Sequence, residues 1–166
     1  MPDVRPNRLV YRVPINLGLP REGRFIEMLR PVIIESARDG ASLRLSDPVF
    51  VKHTDDHGLE YFRVTAAGPA FSGALRVYAY MSSGLPALFE EFARNWRGFD
   101  GEKSWSSLEG EFSLRASVDK LGHTWLGFIL HERDHGWKLE GGLLLEAGQL
   151  EHIARDVRRF CDGDTR

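Results

Sequence analysis

Five consecutive residues have the types and spacing of a zinc-protease motif. They match the pattern H-E-x-x-H and are His131, Glu132, Arg133, Asp134 and His135. On a helix, this spacing brings both imidazoles to one metal ion and places the glutamate beside the bound water. Here the motif follows an apolar, strand-like run and ends at Gly136, which is typical of a hairpin turn. We therefore expect a solvated turn without metal or other cofactor, and we keep a small zinc-dependent hydrolase as an alternative that requires residues 126–136 to be helical.

A second group of candidate residues lies between Trp96 and Glu111. Two tryptophans bracket a connection from a helix to a strand, and its glycines permit left-handed turns. We expect an interaction site formed by Trp96, Arg97, Phe99, Asp100, Trp105, Glu109, Glu111 and His123. The two glutamates are two residues apart, which places them on one face of a strand, where they could line an acidic pocket with Asp100 and Glu102. The alternative is that these residues only fix the crossover from helix to strand.

The familiar routes to catalysis are missing from the sequence. There is no G-x-G-x-x-G after a strand, no P-loop, no G-x-S-x-G and no C-x-x-C pair. The single cysteine, Cys161, falls at apolar spacing in the last helix, where a structural thiol is expected. We therefore predict no catalytic residues, and an enzyme is the less favoured interpretation.

The composition limits the class of protein. The chain has 166 residues, 42% of them hydrophobic, which is enough for one compact domain with a real core. Its formal net charge of -2 gives no overall basic field, so we expect no nucleic-acid partner. No apolar run is long enough to span a membrane, so we expect a soluble, cytoplasmic monomer or homodimer without membrane contact.

The chain divides into three parts. Residues 1–30 form a basic extension in which repeated prolines break any long element. Residues 31–162 form a single α+β domain, and residues 163–166 form a short tail.

Within the domain, strand patterns alternate with two amphipathic helical patterns. Strands are predicted at 32–36, 42–52, 59–67, 71–81, 109–118, 123–132 and 137–146. The first helix carries Leu85, Phe89, Phe92 and Trp96 on its apolar face, and the second ends the domain. The pattern predicts a single curved antiparallel sheet of about six to seven strands with both helices on one face, in the order β-βββ-α-βββ-α.

One predicted strand is apolar on both faces. In Thr124 to Leu130 both alternating sets are apolar, which is typical of a strand covered on two sides. The cover could be the extension, a partner protein or the sheet itself. A further alternative is a small-molecule pocket between sheet and helices, lined by Trp125, Phe128 and Trp137.

Several of these motifs together resemble a known but uncharacterised family. They are W-R-G-F-D-G at 96–101, Trp105 with S-L-E-G-E at 107–111, Gly122-His123, and E-A-G at 146–148 with Leu150. The chain from Val32 to Phe160 resembles small actinobacterial proteins that share a domain of unknown function, and this resemblance implies no activity. At the level of the fold such proteins are loosely similar to toxin-immunity proteins. We therefore expect a non-catalytic, immunity-like binding protein that acts through protein–protein contacts.

Overall fold

The computed structural model describes residues 24–26, 29–53, 56–79, 84–134 and 136–163. These residues form strands and helices in the order β1–β5, α1, β6–β9, α2. The first group of strands is β1 (Arg24–Ile26), β2 (Val32–Glu35), β3 (Ser42–His53), β4 (Asp56–Gly68) and β5 (Phe71–Tyr78). Helix α1 (Leu85–Arg94) leads to β6 (Phe99–Ser106), β7 (Phe112–Val118), β8 (Thr124–Glu132) and β9 (Trp137–Leu145), and α2 (Ala147–Asp162) follows.

The strands form two antiparallel sheets, and the prediction of one curved sheet is wrong. In the first sheet the order is β2-β3-β4-β5, and the short β1 pairs with the same edge of β3 as β2 does. In the second sheet the order is β6-β7-β8-β9. Each sheet is a meander followed by one helix, so the α+β class and the approximate order are confirmed. Alternating polarity shows that a segment is a strand, but it does not show which strands pair, because every half-buried strand has the same pattern.

Strand β6 is the element that sequence reasoning missed. Its residues were assigned to an irregular connection, so the second group of strands was predicted with three members rather than four. The strand has no regular alternation, because its pairing with β7 shifts in register between Phe99 and Lys103. Gly98 and Gly101 have φ angles of 114° and 81°, which only glycine adopts easily, and they allow this irregular start.

One hydrophobic core joins both sheets and both helices. Phe62 of β4 lies at its centre, with ring centroids 6.3 Å from Phe112 of the second sheet and 6.0 Å from Phe160 of α2. The α2 residues predicted to be buried are buried, and they are Leu150, Ile153, Ala154, Val157 and Phe160. The inner faces of the sheets are therefore occupied, and the outer faces remain for contact with other molecules.

Residues 1–23 and 164–166, which include most of the predicted extension and tail, lie outside the described residues. In the part of the chain that is described, neither helix has both the length and the apolar character that crossing a bilayer requires.

Candidate functional site

The zinc motif falls on a strand end and a turn. His131 and Glu132 are the last two residues of β8, and Asp134 lies in the turn that follows. The Asp134 backbone N–H donates to Glu132 Oε1 at 2.9 Å, which ties this turn to the end of the strand. His135 lies outside the described residues. Among the described side chains, no three of His, Cys, Asp and Glu come together as metal ligands. The helix that the hydrolase alternative requires is therefore not formed at residues 126–132.

Glu111 connects the two sheets. Its Oε1 accepts a hydrogen bond of 2.9 Å from the backbone N–H of Tyr78 at the end of β5. Its other carboxylate oxygen accepts from the hydroxyl of Ser107, which in turn accepts from the Phe112 N–H at 3.1 Å. Glu111 was predicted to be an interaction residue, and these contacts give it a structural task at the junction.

Replacing Glu111 with alanine is expected to lower the free energy of unfolding by about 1–3 kcal/mol, because the Tyr78 N–H loses its acceptor in a partly buried place. Glu111→Gln keeps one acceptor oxygen and should cost less. Urea denaturation of both variants measures the difference. The control is Glu109→Ala, which removes an exposed carboxylate from the same turn. Equal losses for Glu111→Ala and Glu109→Ala would contradict the assigned task.

Glu109 and Glu111 do not share a strand face. Strand β7 begins at Phe112, so Glu109 lies in the turn that connects β6 to β7. This turn is closed by the Gly110 N–H, which donates to the Ser107 carbonyl at 3.0 Å. The acidic pocket that these glutamates could have lined with Asp100 and Glu102 is not formed, because those two residues lie at the other end of β6.

Of the predicted interaction residues, Trp105 belongs to the core and the partly buried Phe99 packs against it. Trp105 is 9% exposed and packs edge-to-face on Phe112 with ring centroids 5.7 Å apart. Phe99 stacks on Phe92 of α1 with centroids 6.0 Å apart. The two rings pack β6 against α1 and the start of β7. This agrees with the alternative that these residues fix the crossover from helix to strand.

Trp96 lies at the surface, against the prediction that it belongs to the buried face of the first helix. Helix α1 ends at Arg94, so Trp96 is beyond its last turn and is 43% exposed. The Arg97 guanidinium lies 4.9 Å from the centroid of its ring. The backbone carbonyl oxygen of Trp96 lies so close to Gly122 that a Cβ atom added to Gly122 would be 2.8 Å from this oxygen. Asp100 and Arg97 are also exposed.

The eight predicted residues therefore divide between core, sheet junction and surface, and do not form one site.

His123 forms part of a small charged cluster just before β8. Its Nδ1 lies 2.9 Å from Asp119 Oδ2, and its Nε2 lies 3.7 Å from Glu146 Oε2. The hydrogen bond to Asp119 raises the pKa of His123 above its usual value of 6.5. Although desolvation acts in the opposite direction, the hydrogen bonds from His123 lower the pKa of Asp119 below 3.8.

The cluster should make stability depend on pH in a defined direction. A raised histidine pKa stabilises the fold fully below the unfolded value of 6.5, and this contribution is lost as pH rises through the folded value. The lowered pKa of Asp119 stabilises the fold at pH values above the unfolded value of 3.8, and this contribution is lost as pH falls through the folded value. We expect His123→Gln to be destabilised more at about pH 5 than at about pH 9, as measured by urea denaturation. An equal difference at both pH values would contradict this.

The lone cysteine has no chemical role that its surroundings support. Burial raises the pKa of Cys161 to about 12. A thiol with so high a pKa is almost entirely protonated and is a poor nucleophile. The prediction that Cys161 is structural agrees with this environment.

The outer face of the first sheet carries a group of basic and aromatic side chains that sequence reasoning did not select. We call it the arginine face, and it consists of Arg44 on β3, Arg63 and Tyr61 on β4, and Arg76 and Tyr78 on β5. Each arginine is exposed and lies between two buried apolar residues of its strand. The pleat therefore points all three arginines away from the core.

The three arginines lie close together on neighbouring strands. Arg63 and Arg76 are directly opposite in the pairing of β4 with β5. Arg44 lies diagonally from Arg63, because Ser46 is the residue opposite Arg63. No ion pair to any of the three occurs among the described residues. Like charges directly opposite each other destabilise a sheet, so the arrangement favours an anionic ligand.

The tyrosines extend this face. The Arg76 guanidinium lies 4.2 Å from the ring centroid of Tyr61, and the Tyr61 and Tyr78 rings are 5.0 Å apart at 50°. Beside them is a depression of about 270 Å³ that is also lined by Glu109, Glu111 and residues 131–134, which span the end of β8 and the turn after it. The face thus passes from positive charge, through the two tilted tyrosine rings, to carboxylates at one end.

The pocket predicted between sheet and helices is not formed by its named residues. Trp125 and Phe128 point to opposite sides of β8, and only Phe128 faces the core. A groove of about 410 Å³ lies instead on the outer face of the second sheet.

These observations define an α+β domain of two four-strand-wide antiparallel sheets with a shared core and open outer faces. The chain belongs to the family of unknown function DUF6228, whose profile matches residues 34–164. The predicted resemblance to an uncharacterised family is confirmed. Among curated proteins no match was found.

Two solved structures have a similar arrangement of the chain. One is that of the plant transcriptional regulator PBF-2, with a TM-score of 0.46 and 6% identity, covering 82% of this chain and 84% of that chain. The other is WHY1 from Arabidopsis thaliana, with a TM-score of 0.43 and 9% identity, covering 82% of this chain and 89% of that chain.

The prediction of no nucleic-acid partner is wrong in its premise, because positive charge is concentrated on the arginine face. The prediction rested on a net charge of -2, which is a sum over the whole chain. A sum does not describe one face, and the arginine face concentrates positive charge within a chain that is acidic overall.

Proposed function

We propose that this protein is a non-catalytic binding protein that holds single-stranded nucleic acid on the arginine face. The observation that carries the proposal is the direct opposition of Arg63 and Arg76 without a described counter-charge. Phosphates would supply that counter-charge, and arginine binds phosphate oxygens in a bidentate manner.

The tyrosines favour a single strand over a duplex. Unpaired bases expose their flat faces and stack on aromatic rings or on guanidinium planes. Arg76 already lies over the ring of Tyr61, so an incoming base would extend an existing stack. A duplex hides the faces of its bases and offers only grooves and backbone.

The uneven charge across the face suggests an orientation for the strand. The carboxylate of Glu109 borders the depression beside Tyr61 and Tyr78 and would repel phosphates. The sugar–phosphate backbone would therefore lie over Arg44 and Arg63, with the bases directed toward the tyrosines and the depression.

A titration with a fluorescently labelled oligothymidylate of about 12 nucleotides tests the proposal by fluorescence anisotropy. We expect saturable binding that is tighter than binding to a duplex of the same length. No saturable binding of the oligonucleotide, or tighter binding of the duplex, would contradict the proposal.

The protein–protein, immunity-like role expected from the sequence stays a prediction. Its proposed contact residues are divided between core and surface, and the exposed ones available to a protein partner are Trp96, Arg97, Asp100 and Glu109.

A further inference from the structure

The groove on the outer face of the second sheet has features of a ligand site that is separate from the arginine face. Its volume is about 410 Å³. Residues of all four strands of the sheet line it, among them Glu102 of β6, Arg115 of β7, Trp125 and Gly127 of β8, and Glu140 and Gly142 of β9. This size lies within the range of small-molecule pockets.

Gly127 lies in the floor of the groove, at a position where the surrounding residues leave room for a side chain. It lies in the middle of β8 and is not among the residues with positive φ. A Cβ built there would meet only two backbone carbonyl oxygens, at 3.6 and 3.9 Å, which is ordinary contact. Glycine inside a strand weakens it and often marks a place where a ligand approaches the backbone closely.

At Gly142, by contrast, the fold requires glycine, because the Trp125 indole packs against its backbone. A Cβ at Gly142 would lie 2.3 Å from Cζ2 and 2.7 Å from Cε2 of Trp125, so the indole lies across the bare backbone of β9. Trp125 is nevertheless 44% exposed. The indole is therefore held in place on one side, and its exposed part is shared between solvent and the Arg38 guanidinium, which lies 5.9 Å from the ring centroid.

A donor and an acceptor stand together over the open floor. Arg115 is directly opposite Gly127 on β7, and Glu140 is diagonal to it on β9. The Nη2 atom of Arg115 and the Oε1 atom of Glu140 are 3.6 Å apart. Both side chains are about half exposed, so the pair can exchange partners with a ligand. Glu140 also lies 3.0 Å from Lys138 Nζ through its Oε2, and Glu102 borders the groove as well. Because these two cations and two carboxylates balance, the groove suits an uncharged ring with an acceptor beside a donor.

We propose that this groove binds a guanine base, stacked on Trp125 above Gly127. Guanine places its O6 acceptor next to its N1–H and N2–H donors, which matches an arginine beside a carboxylate. Adenine could accept from Arg115 at N1 and donate to Glu140 through N6–H. It has one donor for the carboxylate where guanine has two, N1–H and N2–H, so we expect it to bind more weakly. The inference goes beyond the proposed function, because it needs neither phosphate nor the arginine face.

The test is a titration of the full chain with guanosine, followed through the indole N–H signals of the tryptophans by NMR. We expect a saturable shift of the Trp125 signal, and a much weaker response to adenosine. Gly127→Val should reduce the affinity about tenfold or more by filling the floor, and Glu140→Gln should do so by replacing one of the two acceptor oxygens with an NH2 donor that opposes the guanine donors. Arg63→Glu should leave guanosine binding unchanged, which separates this site from the arginine face.

Three results would overturn the proposal. They are the absence of a saturable shift with guanosine, an equal response to adenosine, and undiminished binding by folded Gly127→Val or Glu140→Gln. Saturable guanosine binding without any binding of oligothymidylate would support this groove while contradicting the proposed function of the arginine face.

Discussion

Replacing Phe62 with alanine is expected to lower the free energy of unfolding by about 3–5 kcal/mol. Phe62 is 1% exposed, and its ring contacts Phe112 of the second sheet and Phe160 of α2. Removing it would leave a cavity where three layers meet, and those layers cannot close it independently. Such a loss is a large part of the stability of an ordinary domain, which is about 5–15 kcal/mol.

Urea denaturation followed by circular dichroism measures this loss. The matched control is Ile33→Ala, because Ile33 is an apolar residue of the same sheet that is exposed on its outer face. We expect the control to change the stability by less than about 1 kcal/mol. Similar small losses for both variants would show that Phe62 does not join the layers as described.

Replacing Arg63 with glutamate is expected to weaken binding of single-stranded nucleic acid about tenfold or more, while leaving the protein folded and more stable. Binding weakens because the side chain that would contact phosphate becomes one that repels it. Stability rises because the residue opposite is Arg76, so a repulsive pair becomes an attractive one. The gain should be within about 0.2–1 kcal/mol.

Opposite signs for the two effects make this variant informative. Fluorescence anisotropy with labelled oligothymidylate measures the affinity, and urea denaturation measures the stability. The control is Arg159→Glu, which makes the same change of charge on an exposed part of α2. Equal weakening by both variants would mean that only the net charge matters, and the arginine face would lose its assigned role.

Much of the secondary structure could be predicted because it rests on local patterns. The burial of Leu43 and Leu45 around Arg44 follows a two-residue period, and the spacing of Leu150, Ile153 and Val157 follows a helical one. Pairing is not local. Nothing in the alternation of β5 and β7 shows that they belong to different sheets, and the register shift in β6 removed the pattern that would have revealed a strand.

The candidate site could have been found, because its signal is in three strands that were predicted. Each contains one arginine between two apolar residues, at 43–45, 62–64 and 75–77. This pattern places the arginines on the solvent side of one sheet, provided that the strands are neighbours. The roles of Glu111 and Trp96 could not have been found in this way, because each depends on where a distant part of the chain lies, namely Tyr78 and Gly122.

The most direct test of the binding function is the salt dependence of oligothymidylate affinity between about 50 and 200 mM salt. If Arg44, Arg63 and Arg76 each contact one phosphate, the logarithm of the affinity should fall against the logarithm of salt with a slope of about -2, at about 0.7 per contact on a single strand. The variant with Arg63 and Arg76 both changed to glutamine should have a slope nearer zero and weaker binding at the lowest salt. An unchanged slope in that variant, or the absence of binding by the wild-type protein at low salt, would contradict the account.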